Sequence, residues 1–257
     1  MFQLEDVWKS FDGRPVLQGI DLTIPRGQTL VVMGASGCGK SVMLKHLVGL
    51  LKPDRGRIRF NGKPIEDHDE RHLVPIRRQI GFLFQQAALF DSLNVRDNVA
   101  FPLRETGQAG PDLEERVREC LRRVGLENAL DQMPAELSGG MRKRVGLARA
   151  IVLEPELVLY DEPTTGLDPI RANVINDLIV RLQRDLAITS VVVTHDLDSA
   201  FQVADRMVLL HEGRVRIEGT PDELRLSEDP VLRSFLEGRE LGEGDMTGSP
   251  ADTLVTD

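Results

Sequence analysis

Apolar residues fall into two patterns along this chain. Residues 29–33, 80–84, 157–161 and 189–194 are short runs dominated by Val, Leu, Ile and Phe. Such runs read as strands covered on both faces, as in a parallel sheet flanked by helices. Residues 2–7 and 16–24 also read as strands, joined by the turn Asp12-Gly13-Arg14-Pro15. Pro25-Arg26-Gly27-Gln28 turns the chain into the run at 29, and Lys52-Pro53-Asp54-Arg55-Gly56 turns it into a short strand at 57–60. Asn61-Gly62 is a hairpin signal. Helical spacing predicts helices over 42–50 and about 170–187, and 206–210 with 215–218 make a hairpin across Glu212-Gly213. Strands alternating with helices predict an α/β fold with a largely parallel sheet.

Between about 88 and 154 the strand pattern stops. Leu113, Val117, Cys120, Leu121 and Val124 recur at helical spacing among charged residues, behind the loop 106–111. The expected organisation is a core of 1–87 and 155–237, interrupted by a helical lobe at about 88–154. Residues 229–237 carry Val231, Leu232, Phe235 and Leu236 on one helical face, suited to packing on this chain or on another. Residues 238–257 are rich in Gly, Asp, Glu, Ser and Thr without periodicity, which predicts a disordered acidic tail.

Composition narrows the function. The 257 residues can bury a large core. The formal charge of −9 argues against an extended nucleic-acid footprint. No apolar run approaches the ~18–20 residues of a membrane-spanning helix, and the N-terminus lacks the basic and apolar regions of a signal peptide. The expected location is the cytoplasm. The two cysteines, Cys38 and Cys120, have no metal-ligand spacing. Cys38 reads as a small filler whose thiol is open to alkylation and shielded by a bound nucleotide.

The most specific chemistry follows the run at 29–33. Gly34, Ala35, Ser36, Gly37, Cys38, Gly39, Lys40 and Ser41 have the G-x-x-x-x-G-K-S spacing of a phosphate-binding loop between a strand and a helix. Glycines let successive N–H groups face one anion, and the helix N-terminus adds roughly half a positive charge. Lys40 is the expected counter-charge to the β- and γ-phosphates, and Ser41 a Mg²⁺ ligand.

Three other strand ends carry functional groups. Asp161 and Glu162 close an apolar strand with adjacent carboxylates, one suited to Mg²⁺ and one to an attacking water. His195 follows a run of β-branched residues, placed to touch the γ-phosphate. Gln85 ends the strand before the helical lobe, where its carbonyl can meet Mg²⁺ or water. Leu137, Ser138, Gly139, Gly140 and Met141 precede a basic helix over Arg142 to Ala150, with Ser-Gly-Gly at its N-terminus. Those three residues form a second anion site without its own lysine, so two chains are expected to share each nucleotide. The basic run itself reads as a solvated face. Phe11 is placed to stack on adenine, a contact worth roughly 1–3 kcal/mol, and Trp8 reads as packing.

The ordered set resembles the nucleotide-binding subunit of an ATP-binding-cassette (ABC) transporter across residues 1–237. Gly34 to Ser41 look like its Walker A, Gln85 its Q-loop and Leu137 to Met141 its signature. Asp161 and Glu162 look like Walker B with the catalytic acid, Asp168 like the D-loop and His195 like the switch histidine. One departure is Met141, where the family signature usually has Gln.

The resemblance implies a P-loop NTPase of the RecA-like kind, with an inserted α-helical lobe and an antiparallel N-terminal β region. It implies ATP and Mg²⁺, and a homodimer closing head-to-tail around two nucleotides. Met141, Tyr160, Asp168-Pro169-Ile170 and the segment 229–238 are similar to the ATPase of Mla/Mce-type lipid transporters. That likeness implies permease subunits in the inner membrane, an Mce-domain lipid-binding subunit, in some members a STAS-domain protein, and a cytoplasmic-face location. It also favours a subunit contact for the C-terminal helix. Rival readings are a cassette for another substrate such as amino acids, a soluble cassette protein without a permease, and a P-loop kinase.

Overall fold

The computed structural model describes residues 1–239. The chain opens with an antiparallel hairpin, β1 (Phe2–Phe11) and β2 (Arg14–Ile24), longer than the sequence pattern predicts. Trp8 lies in β1; its ring nitrogen donates to Asp6, and the guanidinium groups of Arg55 and Arg214 lie over it. β3 (Thr29–Met33) is buried at every position and feeds the glycine loop and α1 (Lys40–Leu47). β4 (Arg55–Phe60) and β5 (Lys63–Pro64) complete a four-stranded sheet in the order β2-β1-β4-β5.

α2 (Glu70–Arg77) is not legible from periodicity, because only Leu73 on it is buried and Pro75, a helix-disfavouring residue, lies inside it. Asp69 caps it, accepting from the His72 backbone N–H at 3.0 Å. β6 (Ile80–Leu83) follows. Then come α3 (Val95–Glu105), α4 (Leu113–Arg123) and α5 (Gly139–Ile151), with no strand among the described residues between β6 and β7 (Leu157–Asp161). α6 (Pro169–Leu186), β8 (Thr189–Thr194), α7 (Leu197–Val203), β9 (Arg206–His211) and β10 (Arg214–Gly219) restore the alternation. α8 (Pro221–Leu226) and α9 (Pro230–Leu236) end the described chain. Apart from its first two residues, the stretch expected to be a disordered tail lies outside the described residues.

The second sheet has six strands in the order β10-β9-β3-β8-β7-β6. All its pairings are parallel except β10 with β9. Alternation along each strand splits the core in two. Val31, Met33, Val158, Tyr160, Val192, Met207 and Leu209 face a cluster shared with helices α3 to α7. Leu30, Val32, Leu157, Leu159, Val191, Val193, Val208 and Leu210 face a cluster shared with α1 and the N-terminal sheet. Full burial of each such side chain contributes about 1.5–3 kcal/mol. This double coverage explains why the strands read as unbroken apolar runs.

α9 packs on its own chain. Val231 and Leu232 are buried in the helical-side cluster, with Phe235 and Leu236 half-buried against it. Asp229 caps the helix at 2.9 Å from the Leu232 N–H and pairs with Arg216. Leu232→Ala is therefore expected to destabilise the fold by about 2–5 kcal/mol, read as a lower urea midpoint at unchanged slope. A loss well under 1 kcal/mol would mean that α9 is not part of this core.

Candidate active site

Each functional segment leaves the C-terminal end of a neighbouring parallel strand. Met33 pairs with Thr194, Asp161 with Val193, and Leu83 with Tyr160. The glycine loop, His195, Glu162 and the Gln85 segment therefore emerge at one level, the ligand-binding edge of an open α/β sheet.

The glycine loop is held to tight tolerances. A Cβ at Gly34 would stand 2.3 Å from the Leu210 carbonyl oxygen, and Gly34 has φ +152°. Lys40, only 7 % exposed, turns back into the loop and donates to the carbonyls of Gly34 and Ala35 at 2.7 and 2.9 Å. Ser41 Oγ donates to Asp161 Oδ1 at 3.0 Å. Burial raises the Asp161 carboxyl above the usual range, and the Ser41 bond opposes that shift.

Glu162 is buried and has φ +49°, a left-handed backbone uncommon for a residue with a Cβ. Several bonds fix it. Its N–H donates to Val193 O at 2.9 Å. Thr165 Oγ1 and Thr194 Oγ1 donate to Oε2 at 3.2 and 3.4 Å. His195 Nδ1 lies 2.9 Å from Oε1. An ionised carboxylate only accepts, so Nδ1 carries the proton in that pairing. The glycine loop, the Glu162 carboxylate and the His195 imidazole line an open cavity of about 960 Å³. Ala35, Ser36, Gly37, Gly39, Lys40, Ser41, Gln85, Glu162 and His195 are on its wall.

Residues 17–165 match the family model described as ABC transporter. The chain belongs to the ABC transporter family. It is 41% identical to the intermembrane phospholipid transport ATP-binding protein MlaF of Escherichia coli K12, over 93% of this chain and 89% of that protein. It is 43% identical to the probable ribonucleotide transport ATP-binding protein mkl of Mycobacterium tuberculosis H37Rv, over 93% of this chain and 67% of that protein. Among solved structures, a dimeric bacterial ABC transporter cassette superposes with TM-score 0.79 at 34% identity, covering 86% of this chain and 99% of that one. The cassette cbiO1 of Clostridium perfringens, part of the cbiONQ complex, gives TM-score 0.82 at 34% identity, covering 91% and 94%.

Within this ABC ATPase the Ser138-Gly139-Gly140 turn, expected to be the family signature, stands apart from the large cavity. Ser138 caps α5, accepting from the Met141 N–H at 3.3 Å. A Cβ at Gly139 would touch Leu167 and one at Gly140 would touch Arg171. The turn thus rests on the segment carrying Asp168, which caps α6 through the Arg171 N–H at 3.0 Å. Ser138, Gly139, Gly140 and Asp168 do not line the large cavity. Phe11 does not line it either; Phe11 is 41 % exposed at the hairpin tip, with Lys9 over its ring, while Val16 of β2 reaches the wall.

Sequence reasoning missed three contributors. The end of α9 and the residues after it, Phe235 to Arg239, border the cavity; the apolar face of the helix is legible, its destination is not. Thr165 and Thr194, which hold Glu162, carry no motif signal. The basic helix is not a uniformly solvated face. Lys143 is 5 % exposed, and burial lowers its ammonium to about 8 despite nearby Glu162 and Asp161. Arg149 donates to the carbonyls of Ala87 and Ala88 at 2.6 and 2.8 Å, whose φ values are +60° and +46°. The missed signal is spacing: 143 stands four and eight residues before Leu147 and Ile151, both buried.

The two thiols offer a check on the loop. Burial raises both pKa values, with Lys40 opposing the shift at Cys38 and Cys120 pushed up to about 11. A raised pKa leaves less thiolate, the reactive form. At pH 8 maleimide is expected to label Cys38 more slowly than free cysteine and Cys120 hardly at all. Labelling of Cys38 should speed up with rising pH and fall when ATP is present. Peptide mass spectrometry showing Cys120 labelled as fast as Cys38 would contradict this picture.

Proposed function

We propose that this chain is the ATPase subunit of a cell-envelope phospholipid transporter, working as a homodimer on the cytoplasmic face of the inner membrane. The likeness to MlaF across nearly the whole of both chains carries the cargo reading. The convergence of Lys40, Ser41, Asp161, Glu162 and His195 carries the chemistry.

ATP seats its triphosphate in the glycine loop, where Lys40 and the α1 N-terminus offset its charge. Ser41, Asp161 and Gln85 offer hydroxyl, carboxylate and amide oxygens, a hard donor set that fits Mg²⁺. When bound there, the ion would neutralise charge on the phosphate oxygens. Glu162 accepts a proton from the water that attacks the γ-phosphorus, with Thr165, Thr194 and His195 fixing the carboxylate. The new P–O bond forms as the bond to the β-phosphate oxygen breaks, leaving ADP and phosphate. The Ser138-Gly139-Gly140 turn, with Ser138 exposed and Gly140 buried, completes the nucleotide site of the partner chain, beside Asp168. Residues 1–87 and 155–237 act as the core and 88–154 as the lobe that moves with Gln85.

An apolar groove of about 440 Å³, lined by both core and lobe, supports a permease contact where the two meet. Phe82 stacks on Phe84 at 4.2 Å and Phe90 packs on Phe101 at 4.5 Å, with Phe84 and Phe90 both over 40 % exposed. A short helix of a membrane subunit fits such a surface. Among the described residues no helix is long and apolar enough to cross a membrane, so membrane attachment comes through partners: the permease, an Mce-domain subunit and a STAS-domain protein. The name of the mycobacterial relative supports a second reading, nucleotide cargo.

Glu162→Gln should retain ATP binding and lower turnover by ~10²–10⁴-fold, measured by phosphate release; wild-type turnover would refute the base assignment. Co-purification through the tagged chain should recover a polytopic permease with an Mce-domain protein, and Phe90→Asp should lose both while binding ATP normally. Recovery of a permease that carries nucleotides or amino acids would overturn the phospholipid reading alone.

A further inference from the structure

α5 carries Ser138 as its cap and Lys143 on its buried face. The Lys143 ammonium donates to two backbone carbonyls from two different strand ends. One is Gln85 O, beyond β6; the other is Glu162 O, beyond β7, at 3.1 Å. No other side chain bridges these two loops among the hydrogen bonds of the described residues. A buried ammonium is costly unless it is paired and fully bonded. Here the neighbouring carboxylates of Asp161 and Glu162 supply the charge, and Arg142, the adjacent cation, turns instead to the Leu137 carbonyl. Lys143 also borders a cavity of about 290 Å³ between Gln85, Gly139 and Thr165, so the contact between the three segments has room to change.

The Glu162 backbone makes this bond consequential. Its left-handed conformation is unfavourable for a side chain with a Cβ, so its neighbours must hold it. Val193 O holds the N–H, and Lys143 holds the carbonyl. The same ammonium holds the carbonyl of Gln85. A shift of α5 therefore reaches Glu162 and Gln85 together, through one atom.

We propose that Lys143 is a positioning residue for ATP hydrolysis: it sets the carboxylate of Glu162 and the Q-loop in register with the signature helix. The inference rests on the reading of Glu162 as the group that activates water. It predicts an effect on turnover without one on nucleotide binding, because Lys143 does not line the large cavity.

The test uses the full-length chain at saturating ATP. Lys143→Met keeps the length of the stem and removes the donors. Its kcat should fall by about 10- to 100-fold, the scale of a roughly 1 Å misplacement, with KM for ATP within about twofold. Lys143→Arg, which keeps the charge and can donate to both carbonyls, should return kcat to within about threefold of wild type. In a Glu162→Gln background, Lys143→Met should cause no further fall, since Glu162 and the Q-loop serve the same step and the group that activates water is already removed. If Lys143→Met does not fold, Lys143→Gln replaces it, with an expected fall of about three- to tenfold that also vanishes in the Glu162→Gln background. Wild-type kcat in the folded Met or Gln variant overturns the proposal. So does a rise in KM at unchanged kcat, an Arg variant as slow as Met, or a full further fall in the Glu162→Gln background. Wild-type turnover of Glu162→Gln alone would instead remove the reading on which the proposal rests.

Discussion

The parallel register of β6, β7, β3 and β8 is the constraint on which the rest of the molecule depends. Four strands that pair in step must end in step. Three of the ends are followed at once by a candidate site residue, and the fourth, that of β6, lies two residues before Gln85. Gly34 follows Met33, Glu162 follows Asp161 and His195 follows Thr194. No loop has to search for its position. The condition for this register is burial of both sheet faces, since a slip of one residue would exchange the two core clusters.

Backbone geometry then refines what the sheet places. Glu162, Ala87 and Ala88 all occupy left-handed conformations, and each has a carbonyl or N–H held by another element. Two of the holders, Lys143 and Arg149, lie on α5, the helix whose first turn carries Ser138. Arg149 also stands over the ring of Phe90 at 5.9 Å, at the apolar groove. The Ser138 turn, the Gln85 segment and the groove thus all bond to one helix.

Much of this was legible in the sequence where one physical requirement dominates. Val191, Val192 and Val193 announce a strand covered on both faces, and Gly34 to Ser41 admit few uses other than phosphate binding. The extent of β1 and β2 was less legible, because their outer ends are half-exposed and alternate poorly. α2 escaped because a helix with one buried residue has almost no apolar period. Lys143 escaped because a lysine in a basic run reads as solvated; its pairing is with backbone carbonyls, which leave no trace in side-chain identity. Phe11 stands exposed at the hairpin tip, beside the cavity wall reached by Val16 rather than on it, and its place toward a base is not a matter of local pattern. The destination of α9 depends on packing across the whole chain, beyond any local pattern.

The chain has one tyrosine and one tryptophan. Tyr160 is fully buried in β7 directly before Asp161, and its burial holds the phenol protonated well beyond the usual alkaline range. Trp8 lies in the N-terminal sheet between cationic side chains. The molecule therefore has its own pair of optical reporters, one in each sheet. Ultraviolet absorbance of a tyrosinate in alkaline solution can come only from Tyr160, so its onset times the opening of the catalytic sheet. Indole fluorescence times the loosening of the other sheet, so the order in which the two layers part can be observed without any added label.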